Sequence, residues 1–212
     1  MAGAENLADV SAGFFSWNLP GQGDQRPSLC YDVTMDYALI AGFEPTGDFM
    51  VRHWMRRLAD HGVNDLYESF GFAPHITLSE FSTEDFAQVE SALQMLAQNA
   101  SEIEVRFTSL GIFPGLQGVL HLVPAVNSEL LSLHRLIHQV LSPLCQDFSP
   151  LYLEPEWTPH CTLVLEMDPL ELPRAYDALI DSFKPFTTRI SSLEVITCCP
   201  FQTILSRPLN KK

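Results

Sequence analysis

Two short stretches of this chain carry the same pattern of chemistry. One reads Phe72-Ala73-Pro74-His75-Ile76-Thr77-Leu78 and the other Trp157-Thr158-Pro159-His160-Cys161-Thr162-Leu163. Both are aromatic-x-Pro-His-x-Thr-Leu. Side chains of a strand alternate between its faces, so each stretch offers an imidazole and a hydroxyl side by side. The alternation predicts His75, Thr77 and Ser79 on one face, with Ile76 and Leu78 on the other. In the second copy it predicts His160, Thr162 and Val164 against Cys161, Leu163 and Leu165. An unperturbed imidazole titrates at ~6.5, so near neutral pH it can take a proton or give one. Two of them across a small cleft can remove a proton from water and deliver another to a leaving oxygen, each transfer worth roughly 10²–10⁴ in rate. Hydroxyls from Thr77 and Thr162 would donate hydrogen bonds to the non-bridging oxygens of a phosphoryl group, where transition-state charge is held. Hydrolysis of a cyclic phosphodiester requires these parts and no metal, cofactor or covalent nucleophile.

The elements around the motifs repeat as well. Tyr37 to Phe43 reads as a buried strand running into a helix that starts near Pro45, carries Val51, Trp54, Met55 and Leu58 on one stripe, and stops at Gly62. After the first motif, Ser82-Thr83-Glu84-Asp85 is a helix start, followed by Phe86, Val89, Leu93 and Leu96 at helical spacing. Glu102 to Phe107 alternates as a half-buried strand. Leu110 to Gly115 leads into a turn, and Val119 to Val123 returns as a strand. A helix with Leu130, Leu133, Ile137 and Val140 inward then precedes the second motif. A helix with Pro173 near its start and an expected inner stripe of Tyr176, Leu179, Ile180 and Phe183 comes next. Strands over Arg189 to Ile196 and Phe201 to Leu205 close the chain. The order strand, helix, motif strand, helix, strand occurs twice. This predicts an α+β fold of two pseudo-twofold lobes, with the motif strands facing across a central cleft. Residues 1–35 are expected as an N-terminal arm and 36–212 as a single bilobal domain.

Composition narrows the partners. A net charge of −14 with only 12 Lys and Arg disfavours duplex nucleic acid, which is held through many cationic contacts to phosphates. A pocket for one small phosphate ligand needs far fewer donors. No apolar run approaches the ~18 residues of a membrane-spanning helix, and Met1 to Val10 lacks the basic residues and apolar core of a signal peptide. The adjacent Cys198 and Cys199 do not suit an ordinary disulfide. Reduced thiols in a cytoplasmic monomer are the expectation.

The paired His-x-Thr motifs, the order of elements and the stretch Leu110-Gly111-Ile112-Phe113-Pro114 together resemble the two-histidine (2H) phosphoesterases, in particular their 2′-5′ RNA ligase-like and cyclic phosphodiesterase branch. The resemblance spans roughly residues 36 to 207. It implies a bilobal fold of two antiparallel sheets around a central cleft, with helices on the outside. It further implies metal-independent catalysis on substrates carrying a 2′,3′-cyclic phosphate or a 2′-5′ linkage. His75 and His160 would then be the acid-base pair, in an order left open, and Thr77 and Thr162 the phosphate-binding hydroxyls. The acidic balance favours a small nucleotide or short oligoribonucleotide over tRNA. A ligase-type reverse reaction uses the same residues, and a nucleotide-binding module without turnover would keep the same cleft.

Other residues receive plainer readings. Two histidines without a third ligand at suitable spacing do not make a zinc site. Cys161 points away from His160 and is expected as a small core residue. Phe72 and Trp157 are expected to pack beneath their strands. Phe81, two positions past Ser79, is the candidate for stacking on a nucleobase. His121, His134 and His138 are expected as surface or satisfied core histidines, and His53 and His61 as solvated ones.

Overall fold

The computed structural model describes residues 35–69, 71–113, 118–125, 127–197 and 201–212. The expected arm, apart from its last residue, lies outside the described residues. So do Pro114 and Gly115 and the Cys198-Cys199 pair.

The first half of the described chain runs β1 (Tyr37–Phe43), α1 (Pro45–Asp60), a single-turn α2 (Leu66–Ser69), β2 (His75–Ser82), α3 (Phe86–Asn99) and β3 (Ile103–Phe113). The second runs β4 (Val119–Pro124), α4 (Ser128–Leu141), a two-residue β5 (Asp147–Phe148), a 3₁₀ turn (Pro150–Tyr152), β6 (Cys161–Val164), α5 (Leu172–Leu179), β7 (Phe186–Thr197) and β8 (Gln202–Pro208). Local chemistry sets the helix ends. Pro45 opens α1, where its missing N–H costs nothing, and Gly62 follows the helix with a φ of 76°. The Asp85 carboxylate accepts from the Gln88 N–H at the start of α3, and the Asn127 side chain accepts from the Leu130 N–H at the start of α4.

The strands are antiparallel and run in the order β5-β2-β1-β7-β3-β4-β6, with β8 also on β7. The long β7 makes this possible. One of its edges pairs with β1 over Ile190 to Thr197, while the other pairs with β3 over Phe186 to Ile190 and with β8 over Ser192 to Thr197. The two sheets expected of the lobes are therefore joined through β7 and β3 into one hydrogen-bonded sheet. The sheet curls so that β2 and the segment leading into β6 meet: the Trp157 indole N–H donates to the Thr77 carbonyl at 3.0 Å.

One face of the sheet, with Leu39, Ala41, Ile76, Leu78 and Val195, receives the apolar stripes of the helices and forms the main core. The other face carries only a small apolar cluster of Ala38, Ile40 and Ile196 with Phe201 against it. That second face is the cleft.

The inner stripe of α5 differs from expectation. Tyr176 and Ile180 are 60% and 52% exposed, whereas Ala175, Ala178 and Leu179 are buried. This short helix seats closely on α1, where the Arg57 Nε–H donates to the Ala178 carbonyl at 2.6 Å. Small side chains permit that approach and bulky ones do not, so the large apolar residues turn outward.

Candidate active site

Each motif strand contains the same irregularity. On β2, Thr77 lies opposite Ile40 and Ser79 opposite Leu39, so Leu78 is the extra residue of a β-bulge. On β6, Thr162 lies opposite His121 and Val164 opposite Leu120, so Leu163 is the extra residue. A bulge shifts the alternation of everything beyond it. His75 and Thr77 face the cleft as expected, but past the bulge the cleft-facing residue is Glu80, paired with Ala38. Ser79 turns into the core, and so does Val164. Phe81 is 0% exposed and packs against Tyr37 and Phe148. It cannot stack on a nucleobase, and the bulge at Leu78 is the physical reason.

The two imidazoles are held in one way. His75 Nδ1 lies 2.7 Å from the carbonyl of Ala73, and His160 Nδ1 lies 2.7 Å from the carbonyl of Thr158. A carbonyl only accepts, so each Nδ1 carries the hydrogen and each Nε2 is left to titrate. Burial pushes His75 down to about 4, and a proton on His160 opposes one on His75, while the Ala73 carbonyl works the other way. His160 is also lowered by burial and partly restored by the Thr158 carbonyl. The two motif segments meet where the Trp157 indole reaches the Thr77 carbonyl.

Trp157 bridges the half-sites. Its indole stacks on His134 with ring centroids 3.8 Å apart and planes 6° apart, and it is buried beneath the motif as expected. Its N–H holds the Thr77 carbonyl on an edge of β2 that no strand covers at that point. The next carbonyl along that edge, on Leu78, lies 3.2 Å from His138 Nε2, and the one on Glu80 accepts from the Ser149 N–H. Unpaired edge carbonyls are costly when buried, and these three groups satisfy them. His134 Nε2 bonds the Tyr152 carbonyl at 2.9 Å, so His134 and His138 are bonded core histidines. Cys161 is buried, and its thiol is pushed up to about 12 by burial, consistent with a core residue.

Three residues at the site escape pattern reading. Tyr67, fully within the core, donates its hydroxyl to the Ala73 carbonyl at 3.4 Å with its oxygen 3.1 Å from His75 Nδ1. Nothing in its short helix signals this. His121 is 3% exposed and meets His160 edge to face, with centroids 5.2 Å apart. It stacks on Phe113 at 4.1 Å, and its ring lies over Gly111, where an added Cβ would come 2.4 Å from Nε2. Burial and the His160 charge lower it to about 4. Glu80 is the third. Burial raises its carboxyl to about 7, against hydrogen bonds from the side chains of Ser149 and Tyr152.

Among the described residues no group of three or more His, Cys, Asp or Glu is placed to hold a metal ion, and no helix is long and apolar enough to cross a membrane.

An antiparallel α+β sheet curled around paired His-x-Thr strands defines a two-histidine phosphoesterase. The family model described as the 2′-5′ RNA ligase superfamily matches residues 45–197, and the chain belongs to that superfamily. Its membership supports a phosphoesterase activity. The fold is similar to that of a solved phosphoesterase (13% identity, TM-score 0.52, covering 83% of this chain and 98% of that one). It is also similar to TT0787 of Thermus thermophilus (11% identity, TM-score 0.53, 84% and 100%). A third similar structure is E. coli LigT complexed with 3′-AMP (12% identity, TM-score 0.50, 82% and 98%). No curated protein matches the sequence.

Proposed function

We propose that this chain is a phosphodiesterase that hydrolyses 2′,3′-cyclic phosphate or 2′-5′-linked ribonucleotides with His75 and His160 as its acid-base pair. The observation that carries the reading is the identical construction of the half-sites. Each has an imidazole fixed through Nδ1 to the carbonyl two residues back, a threonine on the same face, and a bulge directly after it. Such a repeat presents two titratable Nε2 atoms and two hydroxyls to one small ligand. The neutral imidazole takes a proton from water, the protonated one gives a proton to the leaving ribose oxygen, and Thr77 and Thr162 hydrogen-bond the non-bridging oxygens. Burial is the main cause that lowers both imidazoles, so either can serve as base with the other as acid, in an order set by the substrate and the direction of the reaction. The 3′-AMP on the similarly folded LigT has the form of a product of such a reaction.

The test is turnover of a panel of 2′,3′-cyclic nucleotides and 2′-5′ oligoadenylates with EDTA present. The expected result is hydrolysis that is lost in His75→Ala and in His160→Ala. Tight nucleotide binding with no turnover on any substrate would overturn the reading in favour of a binding module.

A further inference from the structure

The cleft face of the first lobe is organised in cross-strand rows. His75 lies beside Gly42 and Ser192, Thr77 beside Ile40 and Glu194, and Glu80 beside Ala38 and Ile196. Directly paired residues of an antiparallel sheet share a face, so these rows all open into the cleft. Successive rows are about 7 Å apart along the strand. A phosphoryl group held by Thr77 and flanked by His75 therefore has the Glu80 carboxyl one row away, at about the span of a ribose. Nothing in the motif pattern calls for an acid there, and a phosphate-binding cleft would be simpler without one. Glu80 is also placed with care, since Ser149 and Tyr152 hold its carboxyl and its own carbonyl accepts from the Ser149 N–H.

We infer that Glu80 is a specificity-determining residue of this cleft, accepting hydrogen bonds from the hydroxyl or amino groups of a nucleoside and turning away substrates that carry a second phosphate one ribose from the reacting one. The inference rests on the phosphodiesterase reading and deepens it: the preferred substrate is a nucleoside cyclic phosphate with a free 5′-hydroxyl. An ionised carboxylate meeting a phosphate at this range in a partly buried cleft costs on the order of tenfold or more in affinity. The effect turns on with pH, because Glu80 titrates near 7. The other groups facing this part of the cleft are His75 on the same strand, Glu194 in the neighbouring row of β7, Tyr152 on the 3₁₀ turn and, from the second motif, His160, which burial lowers and whose state both compounds meet alike. His75 and, across the cleft, His121 are lowered to about 4, so neither changes charge between pH 6 and 8.

The experiment compares kcat/KM for a nucleoside 2′,3′-cyclic phosphate with that for the same compound bearing a 5′-sulfate, whose charge is constant from pH 6 to 8. Both are measured at pH 6 and pH 8 in the wild type and in Glu80→Gln. Discrimination against the 5′-sulfate is expected to deepen by on the order of tenfold from pH 6 to 8 in the wild type, mainly through KM, and to stay flat in the variant. If Glu80→Gln does not fold, the wild-type pH dependence decides alone, and a flat ratio overturns the inference. Equal ratios in both proteins at both pH values overturn it while leaving the phosphodiesterase reading intact. Failure of the wild type to turn over even the unmodified cyclic phosphate overturns that reading, and the inference with it.

Discussion

Beside Thr77 the next cleft-facing side chain across the sheet is Ile40, and beyond that Glu194; beside Thr162 it is His121, and beyond that the bare backbone of Gly111. One row further along the motif strand, past its bulge, the first half-site has Glu80, whereas β6 ends at Val164 and Leu165 packs against the main core. The half-sites thus agree in imidazole, hydroxyl, carbonyl tether and bulge, and differ in what surrounds them. The first is lined with carboxyls, and the second with the stacked rings of Phe113 and His121. The shared parts are those a proton transfer across a phosphate demands from both sides. The differing parts meet the two ends of a substrate that is not itself symmetric.

The largest expected effect tests the shared parts. His75→Ala and His160→Ala should each lower kcat by about 10²–10⁴. The double variant should lose much less than the product of the two, because acid and base act as a unit. Steady-state kinetics on one cyclic nucleotide checks this. A single variant with near wild-type kcat would show that the half-sites are not chemically equivalent. Next in size, Thr77→Val and Thr162→Val should each cost about 10² in kcat, as for other single donors to a developing oxyanion.

The pH profile sharpens the comparison further. Catalysis needs one imidazole neutral and the other protonated. His75 is lowered to about 4 and His160 is lowered as well, so kcat/KM in the free enzyme should peak on the acid side of about 6.5 and fall as pH rises. A bound phosphate anion favours both protonated forms, so the kcat profile should lie at higher pH than that of kcat/KM. Coincident profiles would mean that the phosphate does not sit between the imidazoles.

Much of this arrangement can be read from the residues, and the failures share one cause. The strands and helices follow from apolar periodicity, and the paired motifs follow from their repeat. Alternation, however, is blind to an inserted residue. The bulges at Leu78 and Leu163 swap the faces of all that follows, which is why alternation puts Phe81 in the cleft and the fold puts Glu80 there. His121 is invisible for a different reason. Only the pairing of β4 with β6 brings it beside Thr162, and pairing between distant segments leaves no local signal. The two-residue β5 and the 3₁₀ turn that supplies Tyr152 are too short to show a period at all.

His121 gives the second half-site a cost that the first avoids with Ile40. Its folded pKa of about 4 lies below the unfolded 6.5, so the unfolded chain binds more protons between those values. Stability from this group is full above about 6.5 and is lost as pH falls towards 4, by at most about 3 kcal/mol. His75 contributes loss in the same direction. Glu80 acts oppositely: its folded pKa of about 7 exceeds 4.5, so its contribution is full below 4.5 and is lost as pH rises through 7. His121→Phe should therefore flatten the part of the urea-unfolding free energy that falls as pH drops from 6.5 to 4. Glu80→Gln should instead remove a loss of stability that sets in as pH rises from 4.5 to 7 and is complete above it. Identical pH dependence in all three proteins would show that neither group is buried in the protonation state assigned to it.

The smallest expected effect concerns the aromatic residue that precedes each motif. Phe72 packs on Tyr67 and Phe201, whereas Trp157 reaches across to the Thr77 carbonyl of the other motif. Trp157→Phe keeps most of the stacking on His134 but leaves that carbonyl without the indole, at a cost of about 1–3 kcal/mol in stability. Because the lost bond fixes the backbone of the opposite motif, the variant should also lower kcat modestly, and Phe72→Leu should not. Measuring kcat for both variants at matched stability separates the two roles. An equal drop in the two would mean that Trp157 supports its own strand only, and that the half-sites are aligned by the sheet alone.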